Sequence, residues 1–195
     1  MHGLINRAIQ SFIIDTYGAS RWDGIAHRAG LEMAGFEAML SYDPALAPRI
    51  LSAAEDVLDK PREALLEDLG TYLVSHRNTE ALRRLMRFGG DSFLDFLHSL
   101  DDLPERARLA VADLDLPELE LAERGSGRFR LSCRGGPAGV GHVFVGLLRA
   151  MADDYGALAY LELALASDEE DIIDITLYES SFAEGRRFDL GAQAL

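Results

Sequence analysis

The sequence predicts an α+β fold: a helical N-terminal half followed by a mostly antiparallel four-stranded sheet with one inserted helix. Three observations carry this expectation. Apolar residues recur at helical spacing from the first residues to about residue 116. Beyond that point the period changes to strict alternation. One further apolar helix pattern, Val140, Val143, Phe144, Leu147, Leu148 and Met151, then separates two pairs of strands.

Each element has its own signals. Leu4, Ile5, Ala8, Ile9, Phe12 and Ile13 define a first helix from about His2 to Thr16, stopped by Tyr17-Gly18. Ser20 is placed to cap a short second helix, from about Arg21 to Arg28, closed by Gly30. Asp43 is the expected cap of a third, which carries Pro44 and Pro48 early and runs to about Leu58. Pro61 opens a fourth, capped by Asp59 and reaching about His76; Thr79 opens a fifth, ended by Gly89-Gly90. A helix from about Asp91 shows Phe93, Phe96, Leu97, Leu100 and Leu103 on one face. Pro104 follows on that face. It lacks an N–H and crowds the preceding turn, so the helix must kink or restart there, with Asp101 or Asp102 as cap. Glu118 to Leu121 and Arg128 to Arg134 alternate about Gly125-Ser126-Gly127, a hairpin signal. Two last strands, about Ala157 to Ala166 and about Asp171 to Tyr178, flank the acidic Ser167 to Glu170 turn.

Composition narrows the function. The 195 residues are 48% hydrophobic, and 33 acidic against 19 basic residues give a formal charge of −14. Such a surface repels phosphate backbones, so no nucleic-acid partner is expected. The apolar runs are too short for a membrane span, and the N-terminus lacks a secretory pattern; the expected location is the cytoplasm. A lone cysteine, Cys133, excludes a disulfide framework and a cysteine-based zinc cluster. It alternates with Phe129 and Leu131 and reads as a small buried hydrophobe.

No catalytic signature is present: no GxSxG, HExxH, P-loop or dinucleotide-binding glycine pattern. No two of the five histidines lie one helix turn apart. The consecutive pairs Asp101-Asp102 and Asp153-Asp154 read as caps or solvated faces, because neighbours on a helix diverge. No catalytic residue is assigned and no enzyme is expected. Arg130, Ser132 and Arg134 alternate and so share one strand face. Two guanidiniums and a hydroxyl suit a carboxylate or phosphate; equally, they could pair with neighbouring Asp and Glu.

The order and spacing of several segments resemble the haem-nitric-oxide/oxygen-binding (H-NOX) family, a sensor fold also found in soluble guanylate cyclases. The segments are Met1-His2-Gly3-Leu4-Ile5-Asn6, Trp22, Tyr42-Asp43, Gly70-Thr71-Tyr72-Leu73-Val74, Phe96 to Leu103, and Gly141-His142-Val143-Phe144-Val145-Gly146-Leu147. The resemblance implies a single domain over 1–182, with a distal helical subregion of about 1–60, a proximal subregion of about 61–182, and a tail of 183–195. It implies a haem cofactor held by an axial histidine, but Pro104 occupies that position and cannot coordinate iron. The chain is therefore identified as a divergent member lacking the proximal haem histidine. The family's Tyr-x-Ser-x-Arg propionate clamp matches Arg130, Ser132 and Arg134, with Arg130 in place of tyrosine and extra residues near Gly135 to Pro137. Pro117 matches a proline that presses on the haem face, and Ile5 a pocket-lining position.

His2, His98 and His142 are the outside candidates for an iron ligand. On its helix His98 points about 120° from the inward face, and His142 also reads as outward. His2 lies near Ile5. The expected function is a non-enzymatic sensor or ligand-binding signalling domain without histidine-ligated haem, taking a tetrapyrrole or another apolar acid. The alternatives are a haem gas sensor with a non-standard axial ligand and a ligand-free interaction scaffold. By resemblance the protein partner is a cyclic-nucleotide or cyclic-dinucleotide enzyme or a histidine kinase.

Overall fold

The computed structural model describes residues 2–32, 35–111, 114–167 and 169–188. Among the described residues, eight α-helices, a short 3-10 turn (Arg77–Thr79) and four strands follow in the order helix-rich half, hairpin, helix, hairpin. The helices are α1 (Gly3–Tyr17), α2 (Ala19–Arg28), α3 (Leu46–Leu58), α4 (Arg62–Ser75), α5 (Glu80–Arg87), α6 (Phe93–His98), α7 (Leu103–Ala110) and α8 (Val140–Tyr155). The strands are β1 (Glu118–Gly125), β2 (Arg128–Arg134), β3 (Leu158–Leu165) and β4 (Glu170–Glu179). They form one antiparallel sheet in the order β1-β2-β4-β3. The helical first half and the inserted α8 are as the periodicities require.

Several boundaries differ from the sequence expectation, each for a local reason. α2 begins at Ala19, directly after Gly18 in a positive-φ conformation, so Ser20 lies inside the helix and does not cap it. Asp43 accepts from the Ala45 N–H at 2.9 Å, a turn that precedes α3 and leaves Ala45 at the cap. Asp59 closes α3 in a left-handed conformation (φ 50°) and does not open α4. Thr79 spends its hydroxyl on the carbonyls of Tyr72 and His76, at 3.0 and 2.7 Å. α6 starts at Phe93, where Ser92 and Asp95 form a capping box. β1 extends to Gly125, and Ser126 and Gly127, both at positive φ (53° and 73°), make the tight hairpin turn.

Pro104 has the effect expected of it. The apolar helix stops at His98, and α7 restarts at Leu103 with Pro104 in its first turn, where no intrahelical N–H is needed. Leu100 and Leu103 stay buried on either side of the break. Asp101 does not cap α7: its Oδ1 accepts the Leu121 N–H of β1 at 2.7 Å and staples the linker to the sheet.

Two buried clusters organise the chain. One joins α1 to α4 through Ile9, Phe12, Ile13, Trp22, Ile50 and Leu65. The other fills the space between α6, α7, α8 and the inner sheet face, with Phe93, Phe96, Leu100, Leu131, Leu148, Met151 and Ile173. α4 and α8 cross between the clusters at two glycines. A methyl group on Gly70 would lie 2.8 Å from the Leu147 nitrogen, and one on Gly146 2.7 Å from the Glu67 carbonyl carbon. Backbone therefore touches backbone at this crossing. No described helix is long and apolar enough to cross a membrane.

Candidate functional site

β2 alternates strictly. Phe129, Leu131 and Cys133 point into the core, and Arg130, Ser132 and Arg134 share the outer face. The two guanidiniums are already paired. Arg130 forms a two-pronged bridge with Asp174 on β4, Nε to Oδ1 at 2.8 Å and Nη2 to Oδ2 at 3.0 Å. Arg134 joins Glu120 of β1 (2.8 Å) to Glu170 of β4 (3.0 Å). Sheet register makes this inevitable: Arg130 stands opposite Asp174 and Arg134 opposite Glu170. The Arg130 hydrogen bond holds Asp174 below the usual carboxylate range. Ser132, half-buried, sits between the two arginines.

The remaining matched positions are dispersed. Ile5 is half-buried and packs on the α1–α4 cluster. Pro104 is buried in the first turn of α7. Pro117 is buried just ahead of β1, with Gly136 of the following loop packed closely against it.

The three histidines lie in different surroundings. His2 is the N-cap of α1, its Nδ1 accepting from the Leu4 N–H at 3.2 Å, which leaves the ring proton on Nε2. His98 is exposed at the end of α6, edge-on to Phe129 at 6.0 Å. His142 is not outward, as the wheel suggested. Its side chain is 18% exposed and turned to α4, with Nδ1 3.6 Å from Glu67 Oε1. A wheel drawn on one helix cannot anticipate a neighbour that packs on its polar side.

A groove of about 330 Å³ opens beside this histidine, lined by Arg62, Leu66, Cys133, Pro137 and Asp171 among others. Its polar end is also occupied. Asp171, buried, accepts the Gly141 N–H at 2.7 Å and so neutralises the N-terminus of α8. Burial, with the charges of Asp171 and Glu170, pushes the Cys133 thiol up to about 12, so it is inert.

Two buried polar features carry no sequence signal. Asn6 is fully buried on α1, with neither side-chain amide atom hydrogen-bonded among the described residues. Asp154, expected as a cap or a solvated side chain, is buried and takes a two-pronged bridge from the equally buried Arg83 of α5, at 2.9 and 3.2 Å. Nothing local could announce this pair, since its members are 71 residues apart.

Among the described residues, no cluster of three or more His, Cys, Asp or Glu side chains is placed to hold a metal ion. Nor do the matched positions suit a histidine-ligated haem. At the positions the resemblance assigns, Pro104 offers no donor, and the clamp arginines already carry carboxylates.

Comparison with known proteins is consistent with this fold. The model of the family described as Haem-NO-binding matches residues 2–160. Soluble guanylate cyclase gcy-31 of Caenorhabditis elegans is 25% identical over 79% of this chain and 22% of its own length. Soluble guanylate cyclase 89Db of Drosophila melanogaster is 20% identical over 87% of the chain and 25% of its own. The chain thus spans about a quarter of the length of these relatives. Among solved structures, an H-NOX protein from S. oneidensis in the Fe(II)NO ligation state superposes with a TM-score of 0.77 at 15% identity, covering 92% of this chain and 100% of that one. The Fe(II) unliganded H-NOX protein from K. algicida gives 0.77 at 18%, covering 94% and 100%. With its helical half, its four-stranded sheet and its inserted α8, the chain belongs to the haem-NO-binding, or H-NOX, family.

Proposed function

We propose that this domain is a non-enzymatic signalling module of its family that works without histidine-ligated haem. The observation that carries this is Pro104. It is buried beside Leu103 in the first turn of α7, where it starts a helix; at the position that the family resemblance assigns to the axial ligand it would offer iron nothing. No nucleophile–base constellation argues for catalysis. The relatives are named soluble guanylate cyclases, which supports a role beside a cyclic-nucleotide enzyme; a cyclic-dinucleotide enzyme or a histidine kinase in the cytoplasm is the wider class of partner proposed. The paired clamp arginines favour protein coupling over capture of an internal acid. An entering carboxylate would have to compete with Asp174, Glu120 or Glu170 for guanidiniums that are already satisfied without it.

The test is an absorption spectrum of protein from haem-replete cells, followed by haemin titration. The expected result is no stoichiometric Soret band and no saturable binding. A one-to-one band that shifts with NO would overturn the proposal in favour of a gas sensor with an unusual axial ligand. Substituting His2, His98 and His142 in turn would then locate that ligand.

A second reading is supported by Arg130, Ser132 and Arg134 sharing one face: a clamp for a tetrapyrrole or another apolar acid. Here iron-free protoporphyrin should bind, and Ser132→Ala with Arg134→Ala should weaken it at least tenfold. Absence of saturable porphyrin binding excludes it.

A further inference from the structure

Beyond β4 the chain turns back and lies across the junction of α5 and α8. Residues 182–188 have no regular structure, yet their backbone is fastened. The Ala183 N–H donates to the Gly156 carbonyl at 3.0 Å, and the Arg186 N–H to the Asp154 carbonyl at 2.9 Å. The approach is too close for side chains: a methyl group on Gly185 would lie 2.7 Å from the Asp154 oxygen and from the Tyr155 carbonyl carbon.

The anchor beneath is the Arg83–Asp154 pair, whose side chains are 4% and 5% exposed. Arg83 distributes its donors completely enough to leave little slack. Nε and Nη2 hold Asp154, Nη1 reaches Glu80 at 3.1 Å, and Nη2 also reaches the Arg187 carbonyl of the returning segment at 3.2 Å. The Phe188 ring then lies against two guanidiniums, 5.6 Å from that of Arg83 and 5.0 Å from that of Arg87. Arg87 also stacks over Tyr155 at 3.9 Å.

We propose that residues 182–188 are a releasable latch, docked only while α5 and α8 are joined through Arg83 and Asp154. The two halves of the device differ in kind. The anchor is buried, whereas Phe182, Ala183, Glu184, Arg186 and Arg187 are exposed, and only Gly185 and Phe188 are half-buried. The strap therefore opens without opening the core. Coupling runs both ways: a change that separates α5 from α8 frees the strap, and pulling the strap away removes an acceptor from buried Arg83. Met86 of α5 and Met151 of α8 lie in the same core cluster as Leu100 and Leu103, so packing around the α6–α7 break reaches the latch.

The test uses the full 195-residue chain, hydrogen exchange and limited trypsin cleavage after Arg186 and Arg187. In the wild type the Ala183 and Arg186 amides should exchange at least tenfold more slowly than in an unfolded chain. Phe188→Ala and Gly185→Ala should each raise strap exchange and cleavage at least tenfold, with exchange at Leu148 and Ile173 unchanged. Asp154→Asn should free the strap as well; Arg83→Lys, which keeps the charge but loses the fork, serves if that variant does not fold. Unprotected strap amides in the wild type would overturn the proposal. So would a strap that stays protected in a folded Asp154→Asn or Arg83→Lys chain.

Discussion

Gly146→Ala probes the contact on which the arrangement of the two cores depends. The new methyl would sit 2.7 Å from the Glu67 carbonyl carbon and closer still to its oxygen, where ordinary contact begins at 3.4 Å. The carbon alone falls about 0.7 Å short and the oxygen falls shorter still, so α8 must move away from α4 by more than that. A gap of this size forfeits roughly a quarter to a half of each dispersion well it opens. The obstacle is backbone on a helix, and no rotamer change relieves it. The cost should therefore lie near the upper end of overpacking penalties, about 3 kcal/mol. For a chain of this size that lowers the melting temperature by roughly 6–12 °C. Gly24→Ala is the control. It lies in α2 with only the Val57 Cγ1 in reach, at 3.8 Å, and should stabilise by about 0.4–1 kcal/mol. Urea unfolding followed by circular dichroism reads both. Gly70→Ala should resemble Gly146→Ala, and the double variant should cost less than the sum, because one displacement serves both methyls. A Gly146→Ala protein as stable as the wild type, or a Gly24→Ala protein equally damaged, would refute the close-crossing explanation.

Other outcomes follow from the same geometry. The Cys133 thiol, buried and raised to about 12, should resist thiol reagents at pH 8 in the native protein and react once it unfolds. Because its folded value lies above the ordinary one, its contribution is intact below about pH 9 and is lost as pH rises toward 12, at about 1.4 kcal/mol per unit. Cys133→Ala should flatten that part of the alkaline limb of stability against pH, and an unchanged slope contradicts the burial. Arg130→Ala should leave the midpoint of chemical denaturation almost unchanged, because the pair it forms with Asp174 is open to solvent and salt. A loss of several kcal/mol would mean the outer face is covered. Tyr72 donates to Asp15 at 2.6 Å, and that hydrogen bond is the main cause holding the carboxyl below its usual range. The stabilisation exists above the ordinary carboxylate pKa and disappears as pH falls through the lowered one. Tyr72→Phe should therefore weaken the dependence of stability on acid below pH 4, measured as unfolding midpoints against pH; an unaltered acid limb would count against the bond.

What the sequence determined by itself was everything carried by short range. Periodicity of 3.6 or 2 needs only a few neighbouring residues, so the helices, the strands and the break at Pro104 were all legible. That residue 104 offers no side-chain donor was equally plain, because proline lacks one in any environment. The alternation of Arg130, Ser132 and Arg134 placed them on one face without a structure. Tertiary structure alone decided what that face meets. Strand register set Asp174 and Glu170 opposite the two arginines, and those partners lie 44 and 36 residues away. The same holds for His142, turned to Glu67 by the packing of α4 on α8, and for Asp154, drawn into the interior by Arg83. Caps such as Ser20 and Asp59 were misplaced because competing local turns differ by about 1 kcal/mol, less than packing contributes. The sequence names the groups that can bear charge or bind; only the fold brings distant groups within 3 Å and so decides which of them remain available.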